Sequence, residues 1–249
     1  MKIAVMNFSG NVGKTTIARH LLLPRIAGAE LIMVESLNAG EGAGQALRGR
    51  QFGELQEYLQ TVPSAVVDVG ASNVEELLGL MHRYRGSHED FDCFVVPTVP
   101  ALKQQQDTIA TLAELAGIGV AASRLKLVFN MVEDETAVAP AFDTLLAFLR
   151  EQPIATANIA CALGTNEIYA RIDGSSADLY RLACDETDYK ALIVQAKQAP
   201  ERLALAQKLA TRRLACGVMP QLDACFAALG LEQDQGAPST KQTQPLAAP

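Results

Sequence analysis

The residues Gly10-Asn11-Val12-Gly13-Lys14-Thr15-Thr16 combine the types needed to grip a chain of phosphates. Glycines let a backbone curl until successive amide hydrogens point inward at phosphate oxygens. Lys14 would neutralise the outer phosphates, and the Thr15 hydroxyl would ligate Mg2+. A Gly-Lys-Thr triplet is common by chance. Here the apolar run Lys2–Phe8 precedes it and a helical pattern follows, the context in which such a loop works. Asp68 and Asn130 also fall at or beside the ends of apolar runs, and Glu35 follows another. An acid at a strand end beside a phosphate loop could hold the metal through water, though such an aspartate is also a common cap. Asn130 could equally close the turn to Met131, and a solvated Glu35 needs no function. His20, His82 and His88 match neither a metal-binding nor a triad spacing.

The elements that must position these residues alternate. Apolar runs at Lys2–Phe8, Glu30–Val34, Ala65–Val69, Phe91–Pro97 and Arg124–Phe129, with a shorter one at Ile154–Ala160, read as strands. Helical patterns at Thr15–Leu23, Ala43–Tyr58, Val74–Arg83, Lys103–Ala116 and Ala139–Arg150 separate them. This alternation predicts an α/β fold, a doubly wound, mostly parallel sheet with helices on both faces. Two further helices are expected at Asp188–Ala199 and Glu201–Ala215, with Pro200 starting the second. Residues 1–231 are expected to form one domain. Glu232–Pro249, rich in Pro and Gln, is expected to be a disordered tail.

Composition bounds the reading. A chain of 249 residues with 49% hydrophobic and 20% charged residues can bury a substantial core. Its net charge of −7, 5% aromatics and absence of Trp argue against a base-stacking nucleic-acid platform. The 5 cysteines form no C-x-x-C pair, which excludes a zinc ribbon and fits free thiols in a reducing cytoplasm. No apolar stretch reaches membrane-spanning length and no signal peptide is evident, so a cytoplasmic location is expected.

The stretch Ser9-Gly10-x-x-Gly13-Lys14-Thr15-Thr16 resembles the deviant Walker A loop of the ParA/MinD family of partition ATPases. Phe8 and Ser9 stand where that family carries its signature lysine, which reaches a partner's phosphates across a dimer, and a glycine. Val34-Glu35-Ser36-Leu37 is similar to switch I, with Leu37 at the acid that positions the attacking water. Val66-Val67-Asp68-Val69-Gly70 resembles switch II, and Leu127-Val128-Phe129-Asn130 resembles the strand whose asparagine bonds adenine. Val95–Pro100 and Glu167–Gly174 look like further family stretches. Within the family, the resemblance is nearest to plasmid stability proteins of the StbB kind.

What the resemblance implies is an ATP-binding, slowly hydrolysing switch in plasmid partition, with ATP and Mg2+ as cofactors. Lys14, Asp68 and Glu35 would be catalytic. Ser9, Gly10, Asn11, Val12, Gly13, Lys14, Thr15, Thr16 and Asn130 would bind nucleotide, with Thr15 and, through water, Asp68 at the metal. Implied partners are a second copy when nucleotide is bound and a plasmid-encoded DNA-binding adaptor. Two alternatives stay open. One is a small-molecule ligase like dethiobiotin synthetase, although no suitable lysine follows the loop helix before Lys103. The other is an inactive interaction module. Between Tyr189 and Arg213, the basic residues Lys190, Lys197, Arg202, Lys208, Arg212 and Arg213 face one acid, Glu201. That excess predicts weak, non-specific DNA binding, while a solvated basic face explains it as well.

Overall fold

The computed structural model describes residues 1–34, 49–133, 137–172 and 178–231. The expectations for Glu35, Leu37 and the tail from Glu232 therefore lie outside the described residues, as does the start of the helix expected from Ala43. Six strands form one parallel sheet in the order β2-β3-β1-β4-β5-β6. They are β1 Lys2–Val5, β2 Glu30–Met33, β3 Ala65–Asp68, β4 Cys93–Thr98, β5 Leu125–Val132 and β6 Ala162–Gly164. The loop at 10–16 thus leaves a central strand, between β3 and β4.

The central strands are continuously apolar because both faces are covered. Along β1, Ile3 and Val5 enter one core while Ala4 and Met6 enter the other, all fully buried. The same alternation sends Val66 one way and Ala65 and Val67 the other, as the two-residue period of a strand requires. Burying each such side chain contributes about 1.5–3 kcal/mol.

One core is closed by α2 Gly49–Thr61, α3 Ala71–Arg83, α4 Leu102–Ile118, the short α5 Val138–Ala141 and α6 Asp143–Glu151. The other is closed by α1 Lys14–Thr16 with its π-helical continuation Ile17–Leu22, and by α7 Glu167–Ile172, α8 Leu179–Ala183 and α10 Ala199–Leu229. Between the last two lies α9 Tyr189–Gln195. Asp178 caps α8 by accepting from Tyr180 and Arg181 amides, and Asp188 caps α9 through Ala191.

Two elements depart from the expectation. The sixth strand forms at Ala162–Gly164 rather than Ile154–Ala160, where only Thr156 makes an isolated bridge to Lys126. The last helix starts at Ala199, with Pro200 in its first turn, and continues to Leu229, straight through Pro220. Gly217 and Pro220 are local helix breakers. Burial of Ala215, Val218, Leu222, Cys225 and Leu229 against the sheet outweighs that penalty.

Candidate nucleotide site

Two left-handed residues shape the loop, Asn11 at φ 57° and Gly13 at φ 85°. Gly13 is the N-cap of α1, so the chain turns out of the loop directly into a helix. A cleft of about 310 Å³ opens there, lined by Gly10, Asn11, Gly13, Lys14, Thr15, Thr16, Met33, Asp68, Gly70 and Ala71. The Lys14 ammonium is largely buried and donates to the carbonyls of Ser9 at 2.7 Å and Asn7 at 3.3 Å. These bonds hold it across the mouth of its own loop. The Thr15 hydroxyl donates to Asp68 Oδ2 at 2.6 Å, linking the end of β3 to the first turn of α1.

Thr15 and Asp68 supply hard oxygen donors on one side of the cleft. Mg2+ prefers one or two such protein oxygens together with phosphates and water. Among the described residues, no group of three His, Cys, Asp or Glu forms a separate metal cage. The donor set therefore fits a magnesium carried in with a phosphate chain, which Thr15 would hold directly and Asp68 through water.

The other expected residues divide into lining and support. Gly10, Asn11 and Thr16 line the cleft with Lys14 and Thr15. Ser9 and Val12 are buried beneath it. Val12 adds its side chain to the core, and its carbonyl accepts a bond from Asn130 Nδ2 at 2.9 Å. Asn130 itself is 5% exposed and does not line the cleft. With one Nδ2 hydrogen engaged on the loop, its second Nδ2 hydrogen and the acceptor Oδ1 remain for a ligand.

Sequence reasoning missed the residues that hold the loop's entrance. Asn7 is fully buried, donating to Pro97 O and Thr108 Oγ1, both at 2.8 Å, and accepting from the Ser9 amide at 2.8 Å. The Phe8 amide donates to Thr111 Oγ1 at 3.1 Å. Asp107 lies on the same stretch of α4, ion-paired with Lys103 at 3.0 Å. Burial pushes the Asp107 carboxyl up, but hydrogen bonds from Lys103 and Ser9 hold it below the usual range. The signal available was Thr108 and Thr111 at helical spacing inside a helix, where threonine is an indifferent choice unless its hydroxyl is used.

At the C-terminal end, Lys190, Lys197, Arg202, Lys208 and Arg213 are exposed. Arg212 differs. Its Nη1 donates to the carbonyls of Asp185 at 2.9 Å and Thr187 at 2.7 Å, and its guanidinium lies 5.4 Å from the Tyr189 ring. It staples the turn before α9 to α10. The Thr187 and Tyr189 hydroxyls and the Thr187 amide hold the Asp185 carboxyl down at about 2.

The central loop, the flanking parallel strands and the helices on both faces make this the α/β fold of the P-loop NTPases. Among solved structures, the chain is similar to the MinD cell division protein of Aquifex aeolicus, with a TM-score of 0.50 and 13% identity over 87% of this chain and 97% of that one. Apo McdA of Cyanothece aligns with a TM-score of 0.48 at 13% identity, over 92% of this chain and 97% of that one. The ParA of pNOB8 bound to nonspecific DNA gives 0.45 at 13%, over 93% and 99%. At such identity the likeness to MinD speaks to the fold alone. No protein-family model matches the sequence, and no curated protein matches it. Among the described residues, no helix is long and apolar enough to cross a membrane.

Proposed function

We propose that the chain binds MgATP in this cleft and hydrolyses it slowly, acting as a nucleotide-controlled switch in partition of the plasmid-stability kind. The observation that carries the reading is the Thr15–Asp68 bond at 2.6 Å beside the buried Lys14 ammonium, at the end of a loop turned by the left-handed Asn11 and Gly13. Hydroxyl, carboxylate and ammonium are the groups that magnesium-assisted phosphate binding requires. Slow turnover follows from Leu37, which stands at the position of the water-orienting acid and cannot accept a hydrogen bond. Asn130 Oδ1 suits the amino group of adenine.

The switch acts as a dimer when nucleotide is bound and works with a DNA-binding adaptor. Its five exposed basic residues on and around α9 and α10 give each copy a weak, salt-sensitive hold on DNA. Calorimetric titration with MgATP, with sedimentation in its presence and absence, tests the reading. Lys14→Ala should abolish binding with little change in melting temperature, because the ammonium contacts loop carbonyls rather than the apolar core. Equal affinity in the variant and its parent would end the phosphate-loop assignment.

A further inference from the structure

The described lining of the cleft is electrically balanced. Lys14 is its only cation and Asp68 its only anion. A magnesium triphosphate keeps a net negative charge, and a site that holds the terminal phosphate tightly needs positive charge beyond one lysine offset by one aspartate. No lysine immediately precedes Gly10 to supply it, since Phe8 and Ser9 occupy those positions.

One turn beyond Thr15 lies Arg19, exposed, on the helical segment that leaves the loop. Residues four apart share a helix face, and helical side chains lean toward the N-terminal end, here the loop end. The Arg19 guanidinium confirms that direction, because its Nη2 lies 3.1 Å from the Sδ of Met33. Met33 lines the cleft alongside Thr15 and Asp68. A thioether is a weak acceptor for a guanidinium, whose fork is built for carboxylate or phosphate oxygens. Among the described residues no carboxylate pairs with Arg19. A permanent cation is therefore held at the rim by a contact that costs little to break.

We propose that Arg19 is the second cation of the site, leaving the Met33 sulfur to take oxygens of the terminal phosphate of the bound nucleotide. This rests on the nucleotide-binding reading above and adds a specificity to it, preference for the triphosphate over the diphosphate. Calorimetric titration of the full chain with MgATP and with MgADP, for parent, Arg19→Ala and Arg19→Lys, tests it. A lost charge-assisted bond corresponds to about a 10- to 100-fold fall in ATP affinity for Arg19→Ala, with ADP affinity changed about twofold or less. Arg19→Lys keeps the charge without the fork and should fall between alanine and parent. Unchanged ATP affinity, or equal losses for both nucleotides, overturns the role of Arg19 while the phosphate-loop reading stands. Failure of the parent to bind either nucleotide overturns both.

Discussion

Replacing Gly13 by alanine should damage this protein in two separable ways, and the structure assigns a size to each. Gly13 sits at φ 85°, where an added Cβ strains the backbone by about 1–2 kcal/mol. That Cβ would also lie 2.2 Å from Asn130 Nδ2, a separation no packing tolerates. The amide must then swing away and give up its bond to Val12 O, leaving a buried carbonyl unpaired at about 1–3 kcal/mol. Gly13→Ala should therefore cost about 2–5 kcal/mol, the sum of those two terms. Asn130→Ala loses the same bond without the strain, costing about 1–3 kcal/mol. The double variant carries the strain and loses the bond once only, so it should be milder than the two single losses added, by about 1–3 kcal/mol. Urea unfolding of the four proteins, compared at constant slope, reads this coupling directly. Additivity within about 0.5 kcal/mol would refute the reasoning, because it would mean that Gly13 and Asn130 do not meet in solution.

Other outcomes follow from single contacts. Asp68→Ala should leave much of the ATP affinity but remove magnesium-dependent turnover, read by phosphate release, since a water-linked acid matters most as charge shifts in the transition state. Hydrolysis at the parent rate would make Asp68 structural. Thr111→Val leaves the Phe8 amide without its 3.1 Å acceptor and should cost about 1–3 kcal/mol in chemical unfolding, whereas Thr111→Ser should recover part of it. Equal losses in the two variants would show that the hydroxyl is not what matters. Arg212→Gln should cost about 1.5–3 kcal/mol through the Asp185 and Thr187 carbonyls, while Lys208→Gln and Arg213→Gln leave unfolding almost unchanged. A neutral Arg212→Gln would return Arg212 to the pool of residues free for a DNA surface.

Much of the site was legible from the chain alone because it depends on neighbours in sequence. The turn of the loop, the lysine and hydroxyl behind it and the helix that follows lie within a few residues of one another, and backbone sterics with local hydrogen bonding dictate them. The parallel α/β class was legible for a similar reason, since strands buried on both faces must be apolar throughout and the helices between them carry their own period. The limits of local reading show where the chain's own cues conflict with its surroundings. Gly217 and Pro220 argue for a helix end that packing against the sheet overrides, and the apolar run at 154–160 is passed over for Ala162–Gly164, which pairs with β5. Only the tertiary structure decided which residues hold the loop. Asn7 meets Thr108 across 101 positions, and Asn130 meets Val12 across 118. Those meetings follow from strand order, with β1 between β3 and β4 and with β5 beyond, and that order is a choice among global packings. Arg19 reaches Met33 for the same reason, because β2 runs beside β3 at the sheet edge. A hydrogen bond between distant positions leaves no periodic trace, since its energy is realised only after the apolar layers have fixed where each strand lies.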